Sequence, residues 1–176
     1  MSDASIDRPD MPDGYGVPDT DDGLLTWSSV EERLVAAQHY WLSSTRPDGR
    51  PHSVPRWGVW VDGAFWYDGA PTTRHVQNVN ENPAVTLHLE DGEKAVIIDG
   101  QSVMSTPVTG ALGQTLSAAF IAKYGAAGYE PEPDAWSDEI AGGLRIIRPL
   151  KVLAWTSFPT DVTRFTFATT EAIDPI

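Results

Sequence analysis

The sequence predicts a mainly β domain, an antiparallel barrel with a few flanking helices. Three hairpin signals carry this reading. Apolar runs flank the dipeptides Asp62-Gly63 and Asp91-Gly92, a pattern that marks tight strand-to-strand turns. A third pair of runs folds back across Arg46-Pro47-Asp48-Gly49-Arg50. One short helical pattern interrupts the series, and closure into a barrel removes the exposed edges that such hairpins would otherwise carry.

Taken in order, residues 1–22 contain seven Asp together with Pro and Gly, and read as a disordered, solvated acidic tail. Residues 23–168 read as one domain and 169–176 as a C-terminal tail. A helix starts at Ser28 or Ser29, each followed three residues on by Glu31 or Glu32, with Val30, Leu34, Val35 and Ala37 as its stripe. Residues 40–44 and 52–57 form the first hairpin, 57–61 and 64–67 the second. A short helix over 73–80 ends at Asn82-Pro83. Residues 84–89 and 94–99 make the third hairpin, followed by a strand near 101–104. A second long helix over 109–124 turns Leu112, Leu116, Ala119, Phe120 and Tyr124 to one side, with Gly125 to end it. Residues 126–143 are acidic and Pro-containing, either a mobile lid or a plain loop. Strands return at 144–147, 151–155 and 163–167.

Composition narrows the function classes. A net charge of −13 repels a phosphate backbone, so nucleic acid is not an expected partner. No run approaches the roughly 20 apolar residues of a membrane helix, and the acidic N-terminus does not resemble a signal peptide. The chain has no cysteine, which excludes disulfides, thiolate catalysis and cysteine-bound metals. The expectation is a cytoplasmic protein.

Chemistry concentrates in the segment Tyr67-Asp68-Gly69-Ala70-Pro71-Thr72-Thr73-Arg74-His75-Val76-Gln77-Asn78. A strand ends in small residues, and a helix begins where two hydroxyls, a guanidinium and an imidazole gather. Free backbone N–H groups, side-chain donors and the positive end of a helix dipole suit a phosphate. The plain alternative is a Thr-capped helix with an exposed Arg.

The arrangement of a helix start between the third and fourth strands resembles the split β-barrel flavoproteins of the pyridoxamine 5′-phosphate oxidase-like superfamily, over roughly residues 28–168. Three blocks carry the resemblance. The run from Gly49 to Trp57 is similar to the strand whose backbone passes beside the flavin ring, which assigns Val54, Pro55, Arg56 and Trp57 to that contact. Thr73-Arg74-His75 stands where the family has Ser-Arg-Lys for the cofactor phosphate, with Thr72 and Gln77 alongside. Trp155 and Arg164-Phe165 resemble the C-terminal residues that reach the partner subunit's cofactor. The resemblance implies a six-stranded, Greek-key, FMN-binding split barrel, a homodimer, and FMN or an F-420-type deazaflavin as coenzyme. The departures also carry meaning. His75 stands for Lys and Gln77 for Arg, which removes two fixed charges and implies weaker phosphate binding. Thr160 and Val162 occupy the positions of the substrate-holding Arg and His in the true oxidases, so vitamin B6 oxidation is not expected.

On this reading the chain is an oxidoreductase moving hydride to or from a small unsaturated or aromatic molecule, and the coenzyme carries the redox chemistry. Arg164 is the expected electronic tuner, its guanidinium favouring the reduced, anionic ring. Trp57 and Trp155 would wall the ring, while Trp60 and Trp66 are expected in the core. His39, His52 and His88 are scattered, and no metal site is expected. His52 is either structural or close to substrate. The competing readings are a non-enzymatic carrier for the same coenzyme, a haem-binding split barrel ligated by His75 or His52, and a barrel whose site has decayed.

Overall fold

The computed structural model describes residues 4–168, and the predicted C-terminal tail (169–176) lies outside them. The predicted class holds: one antiparallel sheet packed on an apolar core, with three α-helices among the described residues. In chain order the strands are β1 (Ser5–Asp7), β2 (Tyr40–Thr45), β3 (Pro51–Arg56), β4 (Val59–Val61), β5 (Ala64–Asp68), β6 (Ala84–His88), β7 (Val96–Met104), β8 (Leu144–Ala154) and β9 (Thr163–Thr166). The helices are α1 (Trp27–Ala36), α2 (Arg74–Glu81) and α3 (Gly110–Tyr124). The ladder runs β1-β9-β8-β7-β6-β2-β3, and the β4–β5 hairpin joins through β5 to the start of β8.

Nine strands pair among the described residues, a larger sheet within the same fold class as the six-stranded barrel of the resemblance. Residues 96–104 and 144–154 are each one strand where breaks were expected. A register shift at Asp99/Gly100 lets β7 stay paired through its irregularity. Gly100 is required there, because a Cβ would stand 2.6 Å from the Arg148 carbonyl oxygen.

Residues 4–22 correct the expectation of a disordered tail. Ser5–Asp7 pair with β9, and the Arg8 guanidinium donates to the carbonyls of Thr20, Asp22, Thr160 and Val162. Composition misled here because an open strand edge can hold a segment through backbone bonds, without an apolar core of its own. Helix α1 begins at Trp27, one residue before Ser28. Thr26 is its N-cap, accepting from the Ser29 N–H at 3.3 Å.

Two apolar clusters fill the molecule. One lies inside the sheet around Leu42, Phe65, Leu87, Ile98, Val152 and Phe165, closed by Val30 and Leu34 of α1. The other lies beneath α3, where Leu116, Phe120 and Tyr124 meet Trp66, Trp136 and Ile146. Trp60 and Trp66 are core residues, with their ring N–H groups bonded to Glu31 and the Val61 carbonyl. The 126–143 segment is anchored. Trp136 is 2% exposed, its carbonyl accepts from Val108, and Ser117 donates to the Pro131 carbonyl. Gly125 does not end α3 in a left-handed turn. The chain continues through a short 3-10 turn to Gly128, whose φ of +85° makes the stop.

β3 and β4 are consecutive in the chain yet do not pair, and this is the split. Gly58 sits in the gap, where a Cβ would meet the Phe65 ring at 2.3 Å. The Tyr124 hydroxyl fills the gap, accepting from the Gly58 N–H and lying 2.9 Å from the carbonyls of Gly58 and Gln38.

Candidate functional site

β3 ends the strand order and is paired only with β2, so its outer edge presents backbone groups to no other strand among the described residues. Its side chains alternate, with His52, Val54 and Arg56 half-buried and Pro55 exposed. The Arg56 guanidinium donates to the Asp68 carbonyl and stands 5.7 Å from the centre of the Tyr67 ring. Trp57 is 40% exposed, yet one face is covered by Tyr124 in a parallel stack with centroids 4.7 Å apart. Beside it a cavity of about 400 Å³ is lined by Pro55, Arg56, Trp57, Asp68, Phe120 and Tyr129. The Tyr129 hydroxyl donates to the Asp68 carboxylate, and burial together with that neighbour pushes the phenol above its usual range.

Helix α2 opens against this strand. Thr73 is its N-cap but does not cap it with its side chain. The hydroxyl turns back to donate to the Ala70 carbonyl at 2.7 Å, leaving the first N–H groups of the helix without a side-chain acceptor. Thr72 and Arg74 are exposed, and Arg74 has no carboxylate partner among the described residues. Gln77 is exposed on the following turn.

His75 departs from its expected role. It points inward and is only 4% exposed, close enough to Gly69 that a Cβ there would lie 2.8 Å from Nε2. Its Nε2 has no partner, and its ring packs beside Tyr67, centroids 6.1 Å apart. Burial, then the charges of Arg56, His52 and Arg145, push its pKa down to about 4. The imidazole is enclosed beside Gly69 and Tyr67 rather than exposed with Thr72 and Arg74. The helical period explains the result: residues 75, 76, 78 and 79 form the buried stripe of α2, and position 75 falls on it.

Under the helix lies a polar network that the sequence reading missed. Arg145 is 6% exposed and bonds the Ser102 hydroxyl, the Ser102 carbonyl and Asn80, while Tyr67 and Ser102 share a 2.6 Å hydroxyl contact. Asn78 donates to the Ser44 hydroxyl at 3.0 Å, tying α2 to β2. The available signal was Arg145 within the apolar alternation of β8, a position where a cation needs partners.

Trp155 and Arg164 lie elsewhere. Trp155 directly follows β8 and Arg164 sits on β9, at the other end of the strand order from β3. Trp155 lines a second cavity of about 760 Å³ with Met11, Tyr15, Glu93 and Phe158. Arg164 stands opposite Asp7 in the β1–β9 ladder, and its Nε and Nη2 donate to the two carboxylate oxygens at 2.8 and 2.7 Å. That hydrogen-bonded pair holds the Asp7 carboxyl below the usual carboxylate range. The expected electronic tuner is therefore already charge-matched within its own chain.

No helix of the described residues is long and apolar enough to cross a membrane, and no group of three His, Asp or Glu side chains is placed to hold a metal ion. The sequence model described as pyridoxamine 5′-phosphate oxidase matches residues 28–146. No curated protein matches. Among solved structures, a FAD-binding protein from Mesorhizobium loti is 18% identical, with a TM-score of 0.54, 82% of this chain and 96% of that chain covered. A haem-binding protein from Mycobacterium smegmatis is 16% identical with a TM-score of 0.59, covering 82% of this chain and 59% of that one. These likenesses show the shared fold.

Proposed function

The chain belongs to the pyridoxamine 5′-phosphate oxidase family, and from that premise we propose a cytoplasmic oxidoreductase that holds FMN or a deazaflavin coenzyme between two copies of itself. One observation carries the reading. Arg74, free of any carboxylate among the described residues, stands at the start of α2, whose N-cap Thr73 makes no side-chain cap bond, and the neighbouring element β3 has an open edge.

The donor set fits a phosphate-bearing planar ring. Thr72, Thr73 and Arg74 with the first N–H groups of α2 would hold the phosphate, and the free edge of β3 would meet the polar rim of the ring. A bound flavin or deazaflavin would supply hydride transfer to a small unsaturated or aromatic substrate. The chain's own part is to orient the ring and keep water from it, with Trp57 and the neighbouring cavity flanking β3. Vitamin B6 oxidation remains disfavoured: Val162 is fully buried, and the Thr160 position offers no cation. In this reading the homodimer lets Trp155 and Arg164 serve the site of a second copy. The haem alternative is left with His52, since His75 is enclosed.

Titration of the purified protein with FMN, riboflavin, deazaflavin coenzyme and haemin tests the reading. FMN should bind at least about tenfold tighter than riboflavin, matching one charge-assisted phosphate contact of roughly 1.5–3 kcal/mol. Arg74→Ala should abolish that preference. A Soret band with haemin and no response to the ring compounds would replace the proposal with a haem binder.

A further inference from the structure

Pro55, Trp57, Phe120 and Tyr129 give apolar walls to the cavity of about 400 Å³ at the end of β3, and Arg56 and Asp68 complete its lining. A space of this size, mostly apolar with a few polar groups, suits a small molecule.

Local chain geometry builds the walls. The 3-10 turn after α3 stops at Gly128, whose φ of +85° turns the chain back, and the Tyr129 N–H then donates to the Tyr124 carbonyl at 3.2 Å. That bond holds Tyr129 against the end of α3. Its ring stands edge-on to Phe120, centroids 5.5 Å apart, and tilted by 59° to Trp57 at 6.3 Å. Tyr124 covers one face of Trp57, so the exposed remainder of the indole is available to a second ring.

The polar end is a carboxylate with one oxygen in use. The Tyr129 hydroxyl donates to Asp68 Oδ2, and its raised pKa keeps it a donor. Asp68 Oδ1 accepts no hydrogen bond among the described residues, and the residue is only half-buried. The Arg56 guanidinium bonds the backbone carbonyl of Asp68 and has no carboxylate partner among the described residues. One positive and one negative group therefore line the cavity, which favours a neutral occupant. An ionised carboxylate only accepts, so the atom that meets Oδ1 must carry a proton. A phenol, an arylamine or an N–H heterocycle supplies one, whereas a quinone or carboxylate oxygen does not.

We propose that this cavity binds a neutral, planar aromatic molecule that donates an O–H or N–H to Asp68 Oδ1 and lays its ring against Trp57. Tyr129 is a positioning residue, holding the carboxylate by its other oxygen. On the coenzyme reading above the bound molecule is the substrate, and that assignment rests on the reading. The binding itself does not need the coenzyme.

The test uses 2-naphthol and 2-methoxynaphthalene, which share a ring system while only the first has a donor. Equilibrium dialysis of each against the full chain, without coenzyme, measures the preference. 2-Naphthol should bind about tenfold tighter, the size of one hydrogen bond to a charged group. Asp68→Asn should bring the two probes within about threefold of each other. Tyr129→Phe should lower the preference partway, through the 2-naphthol constant alone, which a purely structural role for the hydroxyl would not do. Equal affinity of the unaltered chain for both probes overturns the proposal, as does a preference that neither variant changes. Should Asp68→Asn not fold, Tyr129→Phe decides, and an unchanged ratio overturns the site. FMN is titrated in parallel. FMN binding without a 2-naphthol preference refutes the cavity proposal and leaves the coenzyme reading standing. A preference without FMN binding upholds the cavity as a ligand site and refutes its assignment to a flavin's substrate.

Discussion

His75 makes acid a specific threat to this fold. The side chain is 4% exposed with Nε2 unpartnered, and its pKa is pushed from 6.5 down to about 4. In the unfolded chain it takes a proton near pH 6.5, whereas in the folded chain it resists until about pH 4. Because the unfolded state binds the extra proton, stability falls as pH drops through that window and is unaffected above it. At about 1.4 kcal/mol per pH unit the ceiling is roughly 3 kcal/mol, less whatever local opening lets water reach the ring. His75→Leu removes the titrating group and the unpartnered nitrogen while keeping an apolar body beside Gly69, so at pH 7.5 it should lie within about 1 kcal/mol of the parent. Urea unfolding of both chains between pH 7.5 and 4.5 measures this. Acid loss at carboxylates such as Asp7 and Asp161, whose pKa values are lowered, is common to both and cancels in the difference. The parent should lose about 2–3 kcal/mol more than the variant. Equal losses would refute the claim that a neutral His75 is built into the fold.

Tyr124→Phe leaves the buried Gly58 N–H without its acceptor, and should cost about 1–3 kcal/mol by urea unfolding while leaving the far-ultraviolet dichroism unchanged. Gly58→Ala drives a methyl into the Phe65 ring and the Trp66 carbonyl, and should be the more damaging of the two, seen as loss of soluble yield or a fall of several degrees in Tm. Asp7→Asn breaks the pair with Arg164 at a half-exposed position, so stability should change by no more than about 1 kcal/mol. If Arg164 serves a coenzyme held with a second copy, the freed guanidinium should raise the reduction potential of bound FMN. An unchanged potential in spectroelectrochemical titration would remove Arg164 from the site.

The strand and helix pattern was legible because it rests on local chemistry. The Asp-Gly pairs at 62–63 and 91–92 sit in the β4–β5 and β6–β7 turns, and Thr73 is the N-cap of α2, each set by short-range preferences of the backbone. The proposed anion site was half legible for the same reason: Thr73 and Arg74 lie where a helix begins, whatever surrounds it. The tie between α2 and β2 was not legible, because Asn78 and Ser44, which form it, are far apart in the chain. The N-terminal strand was hidden by its acidic, Pro-rich composition, which says nothing about an open edge on β9.

By itself the sequence determined the antiparallel β class, the hairpins, the start of α2 and the family to which the chain belongs. Tertiary structure alone decided that His75 turns inward, that Asp7 claims Arg164, and that Arg145 is buried among Ser102, Tyr67 and Asn80. The division has one physical cause. Propensity and periodicity act over a few residues, whereas burial and charge pairing depend on which distant segments the folded sheet brings into contact.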